Sequence, residues 1–241
     1  MIAAVPAPAL LRIRGPEELI PAKLREALSG LRYESLAKTV VHCRRRIWEI
    51  NQDIAGGGSF TDTPIQQCWY PSDNAREMSA LEAEQLELSQ TPLYSWTGSR
   101  GFGPYVVPTS WVPANRNISE GPGSFVGAYM WGANAQRFSA LTDHERDTTV
   151  VEALRQLHPG IEREIIDIEH LCWDEGLNPG GGSVAFFRPG EAGRYQQTLS
   201  EATSKATRLF FAGEHLGVLH AWIQTSLLTA WAAVARILQR P

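Results

Sequence analysis

The sequence predicts an α/β protein, because segments with strand periodicity and segments with helical periodicity alternate along its 241 residues. The clearest case lies near the end, where the apolar run 209–212 meets a Gly-Glu turn and then a helical segment from Trp222 onwards. Two strands are predicted around Lys38 and at 124–132, from their alternation and their β-branched or aromatic content. Residues 141–157 are predicted as a helix that opens with either Thr142 or Asp143 as its cap and stops before Pro159-Gly160.

The other elements follow in chain order. Residues 2–5 are predicted as a strand that ends at a Val-Pro pair, and residues 21–28 as a helix with proline in its first turn. Further strands are predicted at 61–70, where proline follows, and at 165–173. Residues 74–121 combine a weak acidic helix with a long segment rich in glycine, proline and aromatic residues. Such a segment is typical of a lid, a binding loop or an interface.

The last helix has two notable properties. Its apolar positions recur every three or four residues, which predicts that one face lies in a core; they are Ile223, Leu227, Ala230, Trp231, Val234 and Leu238. Trp222 precedes it in place of a polar capping residue, so the first backbone N–H groups are left open. An open helix N-terminus suits an anion or the electron-rich edge of a ring.

Bulk composition excludes several classes of protein. A formal net charge of −4 gives no electrostatic argument for nucleic acid or for an anionic membrane. The cysteines, Cys43, Cys68 and Cys172, have no C-x-x-C spacing, which argues against a disulfide framework or a zinc site. No basic leader precedes Pro6, and no run of eighteen residues lacks a polar interruption. We therefore expect a cytoplasmic protein that holds no metal and binds neither nucleic acid nor membrane.

A glycine-rich motif at 180–185 matches G-x-G-x-x-A by letter. A dinucleotide site needs a strand before this motif and a helix after it. No strand leads into the motif and Phe-Phe-Arg-Pro-Gly follows it, so we interpret residues 183–187 as a strand after a flexible turn. The motifs of zinc proteases, P-loop nucleotidases and serine hydrolases are absent as well. The sequence therefore lacks a dinucleotide fingerprint of its own.

The residue pattern of the last motif is specific. Phe-Ala-Gly-Glu at 211–214 followed by His-Ala-Trp-Ile at 220–223 resembles the last flavin-binding motif of the flavin-dependent amine oxidase family, in its L-amino acid oxidase branch. Four other segments match the family in the same order: Val5-Pro6, the Tyr33 to Lys38 segment, Tyr70-Pro71-Ser72 and the strand with Tyr129. The chain departs from the family at Ala221, where glycine is usual, and at Gln224, where an acidic residue is usual.

The resemblance implies two intertwined domains, of which this chain is the C-terminal half. Residues 6–172 would form an α+β substrate-binding domain with a mixed sheet and an insertion at 74–121. Residues 1–5 and 173–241 would belong to an FAD-binding domain. A partner chain, either a separate polypeptide or a processed fragment, would supply the N-terminal FAD-binding portion, and the assembly would be a hetero-oligomer of higher order.

The resemblance also implies roles for individual residues. FAD would be the cofactor, and Lys38 would hold a water at flavin N5 as one catalytic residue, with Trp222 as the other. The residues implied in cofactor binding are Val5, Trp173, Gly213, Glu214, Trp222 and Ile223. Those implied in substrate binding are Tyr129, Trp173, Ala221 and Trp222. Ala221 would crowd the substrate amine, and no residue takes the role of the arginine that binds the substrate carboxylate.

The activity that the resemblance implies is FAD-dependent L-amino acid oxidation, in which a 2-oxo acid, ammonia and hydrogen peroxide are formed from an L-amino acid and O2. Two alternatives stay open. One is an amino-acid 2-monooxygenase, which would decarboxylate the substrate to an amide. The other is a non-catalytic subunit that completes a flavoprotein, which the departures at Ala221 and Gln224 favour. The sequence does not identify the side chain of the substrate.

Overall fold

The structure is a computed structural model that describes residues 1–13, 20–82, 111–173, 183–205 and 209–239. Its strands are β1 (Ile2–Ala3), β2 (Arg32–Glu34), β3 (Leu36–Cys43), β4 (Gly58–Phe60), β5 (Gln67–Trp69), β6 (Ala75–Glu77), β7 (Trp111–Pro113), β8 (Gly123–Trp131), β9 (Ile165–Cys172), β10 (Val184–Phe186) and β11 (Phe210–Phe211). Its helices are α1 (Ala7–Arg12), α2 (Ala22–Gly30), α3 (Ile47–Gln52), α4 (Arg116–Ser119), α5 (Gly132–Ser139), α6 (Asp143–Leu157), α7 (Ala192–Lys205) and α8 (Ile223–Leu238). Strands and helices are mixed, as the sequence predicts.

The chain folds into two compact units. The first, which we call the terminal unit, comprises Met1–Leu36, Trp131–Ser139 and Cys172–Pro241. The second, the sheet unit, comprises Ala37–Met130 and Ala140–Leu171. The boundaries therefore differ from the predicted division into 1–5 with 173–241 and 6–172, since residues 6–36 and 131–139 cluster with the two ends of the chain. The assignment of these units to FAD binding and substrate binding stays a prediction.

The core of the terminal unit explains why residues 6–36 belong to it. Leu10 of α1 and Leu28 of α2 are almost fully buried in one apolar cluster with Leu199 of α7 and Phe211 of β11. Burial of each such side chain stabilises the fold by about 1.5–3 kcal/mol. Two short pairs of strands border this core: β1 runs parallel to β11 and β10 runs antiparallel to β2. The first strand of the chain thus lies beside the strand that leads into Gly213.

A five-stranded sheet in the order β4-β5-β8-β3-β9 forms the sheet unit. The pairs β4–β5 and β5–β8 are antiparallel. Backbone bonds join the start of β3 to the end of β9, from Trp173 N–H to Leu36 O, and the end of β3 to the start of β9, from Arg44 N–H to Glu164 O. These two strands are antiparallel as well. The strand pairs β4–β5, β5–β8 and β3–β9 are thus antiparallel, whereas a mixed sheet was predicted.

An aromatic cluster and a polar network lie on the buried side of the sheet unit. Trp48 of α3 packs on Phe125 of β8 with ring centroids 4.7 Å apart. The adjacent Glu49 is fully buried, and its carboxylate accepts hydrogen bonds from Arg46, Asn74 and Ser119. Such a buried charge is tolerated because donors surround it. Arg46 also binds Asp73 through two hydrogen bonds, which lower the pKa of the Asp73 carboxyl.

Local signals predicted several elements correctly. Thr142 caps α6 through a capping box with Glu145, at the predicted start of that helix. Strand β10 lies where a strand was predicted in place of a dinucleotide motif, and the glycines at 180–182 lie outside the described residues.

The three cysteines are buried and free. Within the described ranges, no helix has the length and apolar content needed to cross a bilayer. Of the predicted insertion at 74–121, the described part contains the antiparallel pair β6–β7 and α4.

Candidate functional site

The turn after β11 requires glycine at position 213. Gly213 has φ 147° and ψ 160°, a backbone conformation that is essentially restricted to glycine. A Cβ on this residue would lie 2.5 Å from the ring of His215, which is buried directly beneath it. The space that a Cβ would need is thus filled by the ring of His215, so glycine at this position allows that ring to pack against the turn.

Thr229 fixes the same turn to α8. The N–H of Gly213 donates to Thr229 Oγ1 at 3.0 Å, and the hydroxyl lies 3.1 Å from Gly213 O, where it can donate in return. Thr225 and Thr229 are four residues apart and face the interior of the terminal unit. Sequence reasoning missed this role. The available signal was two threonines at helical spacing within an otherwise apolar helix.

The carboxylate of Glu214 connects two parts of the terminal unit. One oxygen accepts the N–H of Ala185 in β10 at 3.1 Å, and the other accepts the N–H of Ala221 at 2.9 Å. Glu214 therefore holds the turn that precedes α8 in place. Each carboxylate oxygen has a second lone pair, so both can still accept a hydroxyl from a ligand.

Ala221 has the left-handed conformation, with φ +67°. This conformation brings Cβ close to the backbone and costs an L-residue about 1–2 kcal/mol, whereas glycine adopts it freely. The departure from the family pattern at this position therefore has a conformational consequence besides any effect on a substrate. A glycine here would meet the geometry of the turn without strain.

We expect Ala221→Gly to raise the free energy of unfolding by about 0.5–1 kcal/mol, because relief of the strain exceeds the larger conformational entropy of glycine in the unfolded chain. Urea unfolding of the two proteins measures the difference. Ala232→Gly, in the interior of α8, serves as the control and should destabilise instead. Equal destabilisation by both substitutions would contradict the assigned strain.

The N-terminus of α8 is open as predicted, but the predicted orientation of its apolar stripe is wrong. Trp222 is the N-cap residue and makes no hydrogen bond to the helix through its side chain. It is 64 % exposed, while Ile223 is 80 % and Trp231 72 % exposed. The buried positions are instead the small residues Thr225, Thr229 and Ala233. Small residues allow α8 to approach Gly213 closely, and this contact places the apolar stripe on the surface of the described chain.

A second group of predicted residues lies in the sheet unit. The ammonium of Lys38 in β3 lies 4.6 Å from the ring centroid of Tyr129 in β8. Both side chains are half-buried, on the face of β3 that also carries Val40 and His42. A cation over an aromatic ring is attracted by about 0.5–2 kcal/mol. The structure thus brings Lys38 and Tyr129 together, with the ammonium group of Lys38 over the ring of Tyr129.

The remaining predicted residues lie in the terminal unit. Gly213, Glu214, Ala221, Trp222 and Ile223 form one continuous turn and helix start. Val5 packs instead against the apolar core of that unit, and Trp173 follows β9 with its N–H bonded to Leu36 O. The predicted roles of all these residues in cofactor and substrate binding stay predictions.

Several hydrogen-bonding groups around the turn of Gly213 are not fully used by the described residues. The helix after Trp222 begins without a side-chain cap, and Glu214 retains acceptor capacity. In addition, the Nε2 atoms of His215 and His220 are buried and have no hydrogen-bond partner among the described residues. Buried polar atoms are normally paired, so an unpaired atom beside this turn fits a site completed by another molecule.

Comparisons with known proteins identify the family of the chain. Residues 1–238 match the profile of the family described as flavin containing amine oxidoreductase. An L-amino-acid oxidase of Hebeloma cylindrosporum is 24 % identical over 97 % of this chain, and that of Bungarus fasciatus is 24 % identical over 93 %. The matches cover 33 % and 35 % of those proteins, so the chain spans about a third of the length of these relatives.

Two solved structures show the same fold. The cyclohexylamine oxidase of Brevibacterium oxydans superposes with a TM-score of 0.63 at 15 % identity, over 99 % of this chain and 43 % of the other. A putrescine oxidase bound to putrescine superposes with a TM-score of 0.61 at 15 % identity, over 99 % of this chain and 42 % of the other. The chain therefore belongs to the flavin containing amine oxidoreductase family, whose cofactor is FAD.

Proposed function

We propose that these 241 residues form part of an FAD-dependent L-amino acid oxidase that converts an L-amino acid to a 2-oxo acid, ammonia and hydrogen peroxide. The observation that carries the proposal is the turn of Gly213 to Trp222. There the carboxylate of Glu214 keeps acceptor capacity, the N-terminus of α8 has no side-chain cap, and two buried histidine Nε2 atoms lack a partner among the described residues. The choice of L-amino acids rests on the relatives of similar sequence. The buried, free cysteines support a cytoplasmic location.

The flavin supplies the redox chemistry when it is bound, and the chain supplies position and charge. Glu214 would hold the cofactor through its carboxylate, and Gly213 would shape the turn that carries Glu214. The N–H groups at the start of α8 would favour partial negative charge at the ring edge. In the sheet unit, the ammonium of Lys38 would hold a water and its proton, with Tyr129 keeping the cation in place. A positioned proton-handling group typically contributes 10²–10⁴-fold in rate.

We further propose that a partner chain carries the N-terminal FAD-binding portion and covers the exposed face of α8. Ile223, Leu227, Trp231, Val234 and Leu238 form this face, which we call the α8 stripe. A contiguous apolar patch on a helix marks a contact surface in soluble proteins. The other support is coverage, since this chain matches 43 % and 42 % of the two solved relatives and the rest of their fold lies outside these residues.

Co-expression with the N-terminal FAD-binding portion of a related oxidase tests both proposals. We expect a complex with flavin absorbance that is bleached by L-amino acids in the absence of O2, and that forms a 2-oxo acid and peroxide. Trp231→Lys in the α8 stripe should abolish complex formation. Ile166→Lys, at an exposed apolar position in β9, should not. An amide product would identify a monooxygenase, and a flavin complex that no amino acid bleaches would identify a non-catalytic subunit; either result contradicts the proposed activity.

A further inference from the structure

Three side chains of types that commonly bind metals lie close together on the exposed face of the sheet unit. His42 lies near the end of β3, and Asp167 and Glu169 lie two residues apart on the neighbouring strand β9. Residues two apart on a strand point to the same side. One ring nitrogen of His42 and one oxygen of each carboxylate all lie within 4.8 Å of one another. This spacing allows the three atoms to bind a single ion.

Ser124 of β8 fixes the orientation of the histidine ring. Its Oγ lies 2.7 Å from His42 Nδ1, on the opposite side of β3 from the carboxylates, while His42 Nε2 lies 3.2 Å from Glu169 Oε1. With this hydroxyl as the acceptor for Nδ1–H, Nε2 would present its lone pair to an ion between it and the carboxylates. Without an ion, the contact with Glu169 requires Nε2–H, and Ser124 can then donate to Nδ1. Histidines that bind metals are held in this way, with the second nitrogen donating to a neighbouring acceptor.

The charge on this face favours a cation. Asp167 and Glu169 place two negative charges side by side on one strand, and both are exposed. Among the described residues, neither carboxylate has an ion pair with a lysine or arginine; the contact of Glu169 is with His42 Nε2, at 3.2 Å. The next histidine, His170, points to the other face and is held by Thr39 and Asp147, so it does not compensate this charge. A divalent ion would neutralise both carboxylates at once.

We propose that His42, Asp167 and Glu169 form a binding site for a divalent transition-metal ion such as Zn²⁺. An imidazole nitrogen with two carboxylate oxygens is a donor set that suits Zn²⁺ and its neighbours in the first transition series, whereas Mg²⁺ and Ca²⁺ prefer oxygen donors alone. Three protein atoms leave one tetrahedral position, which the exposure of the site opens to water. Nothing in this site depends on the flavin.

Calorimetric titration of the assembled protein with Zn²⁺ tests the proposal. We expect one equivalent of Zn²⁺ to bind at this site. His42→Ala should lower the affinity by at least about tenfold. Ser124→Ala should lower it about tenfold, the usual scale for a residue that orients a metal ligand. Far-ultraviolet circular dichroism confirms that the variants are folded. His144→Ala removes an exposed histidine of α6 in the same unit and should leave Zn²⁺ binding unchanged.

Co²⁺ provides an independent readout, because its visible absorption spectrum reports a bound nitrogen ligand and the coordination number. We expect a spectrum of four-coordinate Co²⁺ in the parent protein and its loss in His42→Ala. The proposal is overturned by absent Zn²⁺ binding, by equal affinity in the parent and His42→Ala proteins, or by equal affinity for Mg²⁺ and Zn²⁺. The last result would show that the carboxylates act without the histidine.

Discussion

Replacement of Lys38 by methionine is expected to slow flavin reduction by the amino acid about 100-fold while the protein stays folded. Lys38 is a half-buried cation in the central part of the sheet, and its ammonium lies over the ring of Tyr129. Methionine keeps the apolar stem and removes the charge, so packing along β3 is retained. Loss of the cation–π contact costs only about 0.5–2 kcal/mol. The effect should therefore fall on the rate of the reaction.

Anaerobic stopped-flow measurement of flavin bleaching gives this rate. Lys23→Met removes an exposed lysine of α2 and serves as the matched control, with no change expected. Tyr129→Phe retains the ring beneath the ammonium but lacks the hydroxyl, so it separates the role of the cation from that of the phenol. Turnover of the Lys38→Met protein at the parent rate would contradict the assigned role of Lys38.

Local sequence patterns predicted the elements that carry the site. Alternation and β-branched residues predicted the strand that contains Lys38. The apolar run before Gly213 predicted β11, and apolar positions every three or four residues predicted α8. These signals succeed because they arise from contacts between near neighbours in sequence. The capping box at Thr142 is of the same kind.

Other features depend on contacts that the sequence does not display. The period of α8 identified an apolar stripe, but periodicity gives no information on whether anything in this chain covers that stripe. Ala221 adopts the left-handed conformation in a turn where its N–H donates to the carboxylate of Glu214, seven residues before it. The candidate metal site joins His42 to Glu169, which are 127 residues apart and meet only because β3 pairs with β9. Register between distant strands is not encoded in local periodicity.

Stability is expected to fall steeply as the pH drops below about 6.5, because two histidines are buried in neutral form. Burial lowers the pKa of His158 to about 4. Burial, with a smaller contribution from His220, also lowers the pKa of His215 to about 4. An unfolded histidine has a pKa near 6.5, so between these values the unfolded chain binds more protons than the folded one. The stabilisation is therefore complete above pH 6.5 and is lost as the pH falls towards 4.

The contacts of His158 explain why its neutral form is required. Its Nδ1 donates to Gln52 Oε1, and its Nε2 lies 2.8 Å from the hydroxyl of Tyr70, which donates to it. Ser59 Oγ, also 2.8 Å from that hydroxyl, can then donate to Tyr70. A proton on Nε2 would face the hydroxyl proton of Tyr70 and reverse this chain of donors. It would also place a charge against the rings of Phe125 and Tyr70, which pack edge-on to His158.

For a single histidine with these two pKa values, the free energy of unfolding should fall by about 2 kcal/mol between pH 7 and pH 5. Urea unfolding at both pH values, followed by tryptophan fluorescence, measures the loss; Trp48 reports on this region because it packs on Phe125. His158→Gln cannot be protonated, so the loss in this variant should be smaller by about that amount, even if the variant is less stable at pH 7. His144→Gln, on the exposed side of α6, should lose as much as the parent protein. An undiminished loss in His158→Gln would show that acid unfolds the protein through other groups.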